Sequence, residues 1–171
     1  MSRAPARFGG VVKDLAFIAL GVCFCVASFV AAATPATGPY DPSLDGWKQL
    51  QAAGRKAAAD NRRLLVIVGG NWCKWCRALD TLMMEDAGLR RELESYEVVH
   101  LNYSKENRNP EAMTHLGNPE KLGFPSLLVL SSRLQVLHTQ SSDIFETGDP
   151  NKPGHDPTKL LAFLRTWAAP G

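Results

Sequence analysis

The stretch from Leu64 to Cys76 constrains the fold of this chain more than any other part of the sequence. Leu64 to Val68 is a continuous apolar run, which is typical of a central strand buried on both faces of a sheet. Two glycines end the run, and a cysteine pair, Cys73 and Cys76, follows at once. Apolar residues then recur at helical spacing to about Glu94. The cysteines are therefore predicted to lie at a strand-to-helix junction, with Cys73 at the helix N-terminus.

The rest of the chain alternates helices with strands. Asp41 and Pro42 fit the N-cap and first position of a helix that runs to about Asn61, and Asp156 and Pro157 repeat this signal before a closing helix. Between these helices the sequence predicts three further strands and a helical stretch: Tyr96 to Asn102, Pro110 to Leu122, Ser126 to Leu130 and Leu134 to Thr139. The last two strands are joined by a turn short enough to require an antiparallel hairpin. The predicted order is α-β-α-β-α-β-β-α in one α/β domain.

The first 33 residues differ in kind from the rest of the chain. Basic residues precede an uncharged run from Leu15 to Ala33, which is close to the roughly 20 residues that span a bilayer. Ala31 and Ala33 also satisfy the A-x-A rule of signal-peptide cleavage. A cleaved signal peptide and a retained membrane anchor therefore both stay open, and both predict export.

Composition limits the partners of the exported part. Removing the leader, with its three basic residues and one acid, leaves 16 basic and 16 acidic side chains. This neutrality argues against nucleic acid, whose binding rests on neutralising phosphates.

Residues 34–40, rich in Pro, Gly and Thr, are interpreted as a linker, and residues 41–171 as the domain. The domain keeps only two cysteines, which is too few for a disulfide-stapled scaffold.

Two motifs carry a resemblance to a known family. The sequence Trp-Cys-Lys-Trp-Cys stands between the first strand and its helix, and Gly123-Phe124-Pro125 precedes the third strand. In this order the motifs resemble those of the thioredoxin superfamily, and the sequence of residues 71–104 is similar to that of exported thioredoxin-like proteins of the thioredoxin-7 group. The resemblance extends from about Asp41 to Ala169. It implies a thioredoxin fold, with a central four-stranded mixed sheet flanked by helices.

The resemblance implies roles for the cysteines, and the local physics agrees. Cys73 would be the attacking thiol and Cys76 the resolving thiol of disulfide exchange. At the first turn of a helix, the positive end of the macrodipole and the free N–H groups favour a thiolate at Cys73. Cys76 lies one turn further along the same face. Lys74 adds a nearby cation that is expected to lower the pKa of Cys73 slightly.

Residues around the pair are candidates for substrate binding. The resemblance implies that Pro125 is a cis-proline that faces the pair and, with Phe124, shapes the substrate groove. Trp72 and Trp75 flank the cysteines with apolar surface that would contact an extended partner. Simple packing is the alternative interpretation for both tryptophans.

The sequence departs from the best-known thioredoxins at two places. Those proteins carry Gly-Pro between the cysteines, where this chain has Lys-Trp, and a buried Asp six residues before the first cysteine, where this chain has Ile67. A buried carboxylate there would steer proton transfer and thiol pKa. Asp80, Glu85 and Asp86 are possible substitutes for it, or charges on a solvated helix face.

The predicted activity is thiol–disulfide exchange in the periplasm, in the direction that reduces protein disulfides, with electrons from a membrane-bound donor. No cofactor is predicted, because the four histidines are scattered singly and do not complete a zinc site with the cysteines. One alternative is a binding module with a structural disulfide, in which the Trp-rich face and the loop over residues 140–155 dock a partner. Another is a dithiol copper-handling protein, with Met83 and Met84 near the thiolates.

Overall fold

The computed structural model describes residues 38–149 and 154–170. The predicted leader, and the predicted linker up to residue 37, lie outside the described residues. Within the described ranges, none of the helices combines the length and the apolar character needed to cross a bilayer.

Four strands form one mixed sheet at the centre of the domain. The strands are β1 (Arg63–Gly69), β2 (Tyr96–Asn102), β3 (Ser126–Leu130) and β4 (Val136–Ser141). Their spatial order is β2-β1-β3-β4, with β1 parallel to β2 and antiparallel to β3, and β3 antiparallel to β4. This is the thioredoxin fold that the sequence resemblance implied, with helices on both faces of the sheet.

Five helices and two short 3₁₀ turns complete the described fold. The helices are α1 (Gly46–Ala59), α2 (Lys74–Glu85), α3 (Ala87–Leu93), α4 (Pro110–His115) and α5 (Pro157–Trp167). The 3₁₀ turns are Pro119–Leu122 and Ser142–Phe145. Successive side chains of a strand point to opposite faces, so β1 divides the core into two clusters. Leu65 and Ile67 face the cluster that contains α2 and α5, and Val66 and Val68 face the cluster that contains α1.

The start of α1 differs from the prediction. The helix begins at Gly46 with Asp45 as its N-cap, whose side chain accepts a hydrogen bond from the Lys48 N–H at 3.1 Å. Asp41 instead accepts hydrogen bonds from the backbone N–H and the hydroxyl of Ser43. An aspartate followed by proline thus starts a turn here, and the second aspartate four residues later starts the helix.

The helix that carries the cysteine pair is shorter than predicted. Asp86 has an extended backbone, and its side chain accepts a hydrogen bond from the Leu89 N–H at 2.8 Å. This side chain caps a new helix, α3, and so divides the predicted single helix in two. The stretch predicted as helical over 110–122 is also divided, because Gly117 and Asn118 have left-handed backbone angles.

The hairpin strand lies slightly later in the chain than predicted. The predicted strand began at Leu134, but this residue has a φ of 63° and belongs to the turn, so that β4 begins at Val136. Asp156 is the N-cap of α5 as predicted, and accepts hydrogen bonds from the N–H groups of Thr158 and Lys159.

Candidate active site

Cys73 is the N-cap of α2, directly after the turn that leaves β1. Its N–H donates a hydrogen bond to the Gly70 carbonyl at 3.0 Å, and its sulfur accepts one from the Cys76 N–H at 3.2 Å. An anionic sulfur at this position is stabilised by the unpaired N–H groups and the dipole of the helix start. The strand-to-helix junction therefore favours the thiolate of Cys73.

The two thiols have opposite pKa shifts. A hydrogen bond from the Cys76 thiol, followed by N–H groups of Cys76 and Trp75 and the charge of Arg77, lowers the pKa of Cys73 to about 7 against the opposing effect of burial. The same side-chain hydrogen bond, together with burial, raises the pKa of Cys76 far above that of an ordinary thiol. Near neutral pH, Cys73 therefore carries much more thiolate than an ordinary cysteine, and Cys76 is protonated.

Both cysteines of the pair are almost completely buried. Cys73 is 6% exposed and Cys76 is 1% exposed, and both are free thiols. A reaction partner would therefore reach Cys73 first, through a small opening.

Aromatic side chains surround the open side of Cys73. The Cys73 thiol donates to the Phe124 carbonyl at 3.7 Å, and the Phe124–Pro125 peptide bond is cis. Trp72 is 57% exposed, packs edge-on against Phe124 with ring centroids 5.3 Å apart, and donates its Nε1–H to the Tyr103 carbonyl at 2.8 Å. Three of the four predicted substrate-binding residues thus lie together beside the predicted nucleophile.

The remaining candidate residues of the motif, Trp75 and Lys74, have other surroundings. Trp75 is half-buried and packs edge-on against His155, with ring centroids 5.6 Å apart, so packing accounts for its contacts. Lys74 is exposed at the first position of α2, and its effect on Cys73 stays a prediction. Arg77, which sequence reasoning missed, acts on Cys73 through its charge and donates a hydrogen bond to the Asn71 carbonyl.

The three acidic residues considered as substitutes for the buried aspartate of the best-known thioredoxins have different surroundings. Asp80 is half-buried, with its Oδ1 3.1 Å from His100 Nε2. Glu85 is exposed, and Asp86 caps α3. Ile67 is 1% exposed in the same core cluster as both cysteines. The position of the usual buried acid is therefore apolar.

Tyr40, the last residue of the predicted linker, is part of this site. It is fully buried and packs in the same core cluster as the two cysteines. Its backbone and the Asn71 side chain exchange two hydrogen bonds, of 3.2 Å and 2.7 Å. A lone aromatic residue at the end of a Pro- and Gly-rich stretch was the sole sequence signal for this contact.

Two further features bear on possible ligands. Next to Trp72 lies a cavity of about 430 Å³, which is lined by Trp72, Tyr103, Ser104, Lys105, Glu106 and Arg108. Among the described residues, no group of three or more His, Cys, Asp or Glu side chains could hold a metal ion. Of the two methionines considered as copper ligands, Met83 is buried in the core, whereas Met84 is 63% exposed.

A free cysteine pair at the first turn of a helix, next to a central strand and opposite a Phe-Pro segment, defines a thioredoxin-superfamily protein with a dithiol site. The thioredoxin-7 family, described as thioredoxin-like, matches residues 46–132. This match covers half of the chain, and the chain belongs to this family. No curated protein is significantly similar to the sequence.

Solved structures of three proteins are similar to the domain. A disulphide isomerase from Xylella fastidiosa Temecula1 is 26% identical, with a TM-score of 0.62 over 75% of this chain and 95% of that chain. A DsbH oxidoreductase is 11% identical, with a TM-score of 0.46 over 80% and 90% of the two chains. A thioredoxin from Thermus thermophilus is 21% identical, with a TM-score of 0.46 over 67% and 80%.

Proposed function

We propose that this protein is an exported thiol–disulfide oxidoreductase that reduces protein disulfides. The observation that carries the proposal is the position of Cys73 at the N-cap of α2, where its sulfur accepts a hydrogen bond from the Cys76 N–H and its pKa is lowered to about 7, while Cys76 stays protonated one turn away. A thiol whose pKa is near the ambient pH is the best attacking group in disulfide exchange. The similarity to a disulphide isomerase supports the same chemistry.

The reaction has two steps in which sulfur atoms exchange partners. The Cys73 thiolate attacks a substrate disulfide, a Cys73–substrate bond forms, and the released substrate thiolate takes up a proton. Cys76 then loses its proton and attacks the Cys73 sulfur, which releases the second substrate thiol and leaves a Cys73–Cys76 disulfide. The substrate gains two electrons and the protein loses two. A donor dithiol must reduce the pair before the next cycle.

The surface beside Cys73 suits an extended protein segment. Trp72 and Phe124 offer apolar faces. The Phe124 carbonyl, next to Pro125 and 3.7 Å from the Cys73 sulfur, could accept a hydrogen bond from the main chain of a bound substrate. We infer that these three residues hold the substrate, and that Trp75, with its packing against His155, keeps the first turn of α2 in place.

We infer the site of action and the electron source from the sequence. The leader at residues 1–33 would direct the protein to the periplasm, either soluble after cleavage or anchored through residues 15–33. A reductant in that compartment needs electrons from across the membrane, which makes a membrane-bound dithiol donor the expected partner.

The reduction potential of the Cys73–Cys76 pair tests this function. The full chain is equilibrated with glutathione and with dithiothreitol buffers, and the pair is scored by thiol trapping and mass spectrometry so that the leader cysteines are not counted. We expect reversible opening near or below the potential of thioredoxin, about −270 mV. A value toward about −120 mV would make the protein an oxidant or isomerase.

A binding module with a structural disulfide is the second candidate, and the 6% exposure of Cys73 favours it. The segment over residues 140–155 would then dock the partner. It contains the 3₁₀ turn Ser142–Phe145 and a backbone pairing of Glu146 with His155. A pair that neither glutathione nor dithiothreitol opens would support this candidate and contradict the oxidoreductase.

A further inference from the structure

The hydroxyl of Tyr40 is buried without a well-formed partner. Tyr40 is 0% exposed, and among the described residues its hydroxyl has no hydrogen-bond partner of good geometry. An unpaired buried hydroxyl costs free energy, and one that persists in a core needs an explanation such as a catalytic role. Phenylalanine would fill the same space without this cost, and the polar group with which the hydroxyl interacts is the Cys76 thiol.

The hydroxyl lies next to the sulfur of Cys76. A Cβ atom built on Gly69 would be 2.8 Å from Tyr40 Oη and 2.6 Å from Cys76 Sγ, so both atoms border the same small space above the end of β1. The two groups are also close enough to interact electrostatically. Only glycine at position 69 leaves this space open to both of them.

Tyr40 is held in this position from two sides. Its N–H donates to Asn71 Oδ1, and the Asn71 amide donates to the Tyr40 carbonyl, two residues before Cys73. Its ring packs edge-on against His100, with ring centroids 5.3 Å apart, and His100 contacts Asp80. The segment before α1 is thus attached to the turn that precedes the cysteine pair.

We propose that the Tyr40 hydroxyl is a catalytic group that donates a hydrogen bond to the Cys76 sulfur as this sulfur becomes a thiolate in the resolving step. The inference rests on the proposed function, because the resolving step exists only in a dithiol exchange. It supplies the polar partner for Cys76 that the apolar side chain of Ile67 does not provide.

The hydroxyl acts as a donor and does not take the proton away. Burial, followed by the charges of Cys76, Cys73 and Asp80, raises the pKa of Tyr40 well above its usual value, so the phenol keeps its proton throughout. The Cys76 proton leaves to solvent, and the departing substrate thiolate takes one up. When the Cys73–Cys76 bond has formed, the Cys76 sulfur is neutral again and the hydrogen bond weakens. The interaction is therefore strongest while the thiolate is attacking.

Stopped-flow reaction of the reduced protein with 5,5′-dithiobis(2-nitrobenzoate) separates the two steps. Attack by Cys73 releases one nitrothiolate, and resolution by Cys76 releases a second. The full chain is used, with Cys23→Ser and Cys25→Ser in every variant, so that only the pair reacts. For Tyr40→Phe we expect a first phase within about twofold of the parent and a second phase slower by about tenfold or more, since a hydrogen bond to a charged group is lost.

Tyr96→Phe is the matched control. Tyr96 is a second buried tyrosine, but its hydroxyl donates to the Leu164 carbonyl at 2.6 Å, away from the cysteine pair. Both phases should be unchanged in this variant. If Tyr40→Phe fails to fold, Asn71→Ala is the second variant: it keeps the phenol and both thiols but removes the two hydrogen bonds that fix Tyr40, and it should slow the second phase only.

The outcomes distinguish the two proposals. A parent protein that releases no second nitrothiolate would contradict the proposed exchange function itself. A parent with two phases, combined with an unchanged second phase in Tyr40→Phe, would overturn the role of Tyr40 and leave the exchange function intact. Equal slowing of both phases would also overturn it, because it would show a general disturbance of the site.

Discussion

Replacing Cys73 by serine is expected to abolish disulfide exchange. A serine hydroxyl does not ionise near neutral pH and cannot form the mixed disulfide with the substrate. The rate of insulin disulfide reduction should fall to that of the reaction without protein. Because serine is close in size to cysteine and the pair consists of free thiols, the fold and the thermal unfolding temperature should change little.

Cys76→Ser is the control that separates the two sulfurs. This variant keeps the nucleophile but cannot resolve the intermediate, so turnover should stop after one step. A substrate should then remain covalently bound to Cys73, and non-reducing electrophoresis would show it. Full turnover in Cys73→Ser, or trapping of substrate in that variant, would contradict the assignment of Cys73 as the attacking thiol.

Replacing Leu79 by alanine is expected to destabilise the domain strongly. Leu79 lies on α2, is 0% exposed and belongs to the core cluster that also contains both cysteines. Truncation of a buried leucine leaves a cavity and lowers the free energy of unfolding by about 2–5 kcal/mol. A urea titration would show this as a lower midpoint with an unchanged slope.

Met84→Ala is the matched control on the same helix. Met84 is 63% exposed, so its truncation removes little buried surface, and the free energy of unfolding should change by no more than about 0.5 kcal/mol. Equal effects of the two substitutions would mean that α2 does not pack on the sheet through the face that carries Cys76, Leu79 and Met83.

The local sequence predicted the framework of the site well. Tyr96–Asn102 and Ser126–Leu130 have the predicted bounds, because the Val and Leu content of the first and the apolar run of the second favour strands without help from distant residues. The placement of Cys73 at the start of a helix followed from the same kind of signal, since the apolar period changes at the two glycines.

The errors arise where tertiary or capping interactions decide the outcome. The helical period continues through Asp86, but its side chain caps Leu89 and begins a new helix there. Tyr40 was assigned to a linker because of the composition of residues 34–40. Its hydrogen bonds with Asn71, a residue distant in sequence, bring it into the core. Hydrogen bonds between residues far apart in sequence leave no periodic pattern that could reveal them.

The most direct test of the dithiol site is the pH dependence of Cys73 alkylation. The reduced protein is treated with iodoacetamide across the pH range, and modification at each cysteine is followed by mass spectrometry. We expect the Cys73 rate to reach half its plateau near pH 7, because only the thiolate reacts, while buried Cys76 stays unmodified. A Cys73 profile centred near the ordinary thiol value of 9.0, or faster modification of Cys76, would contradict the site described here.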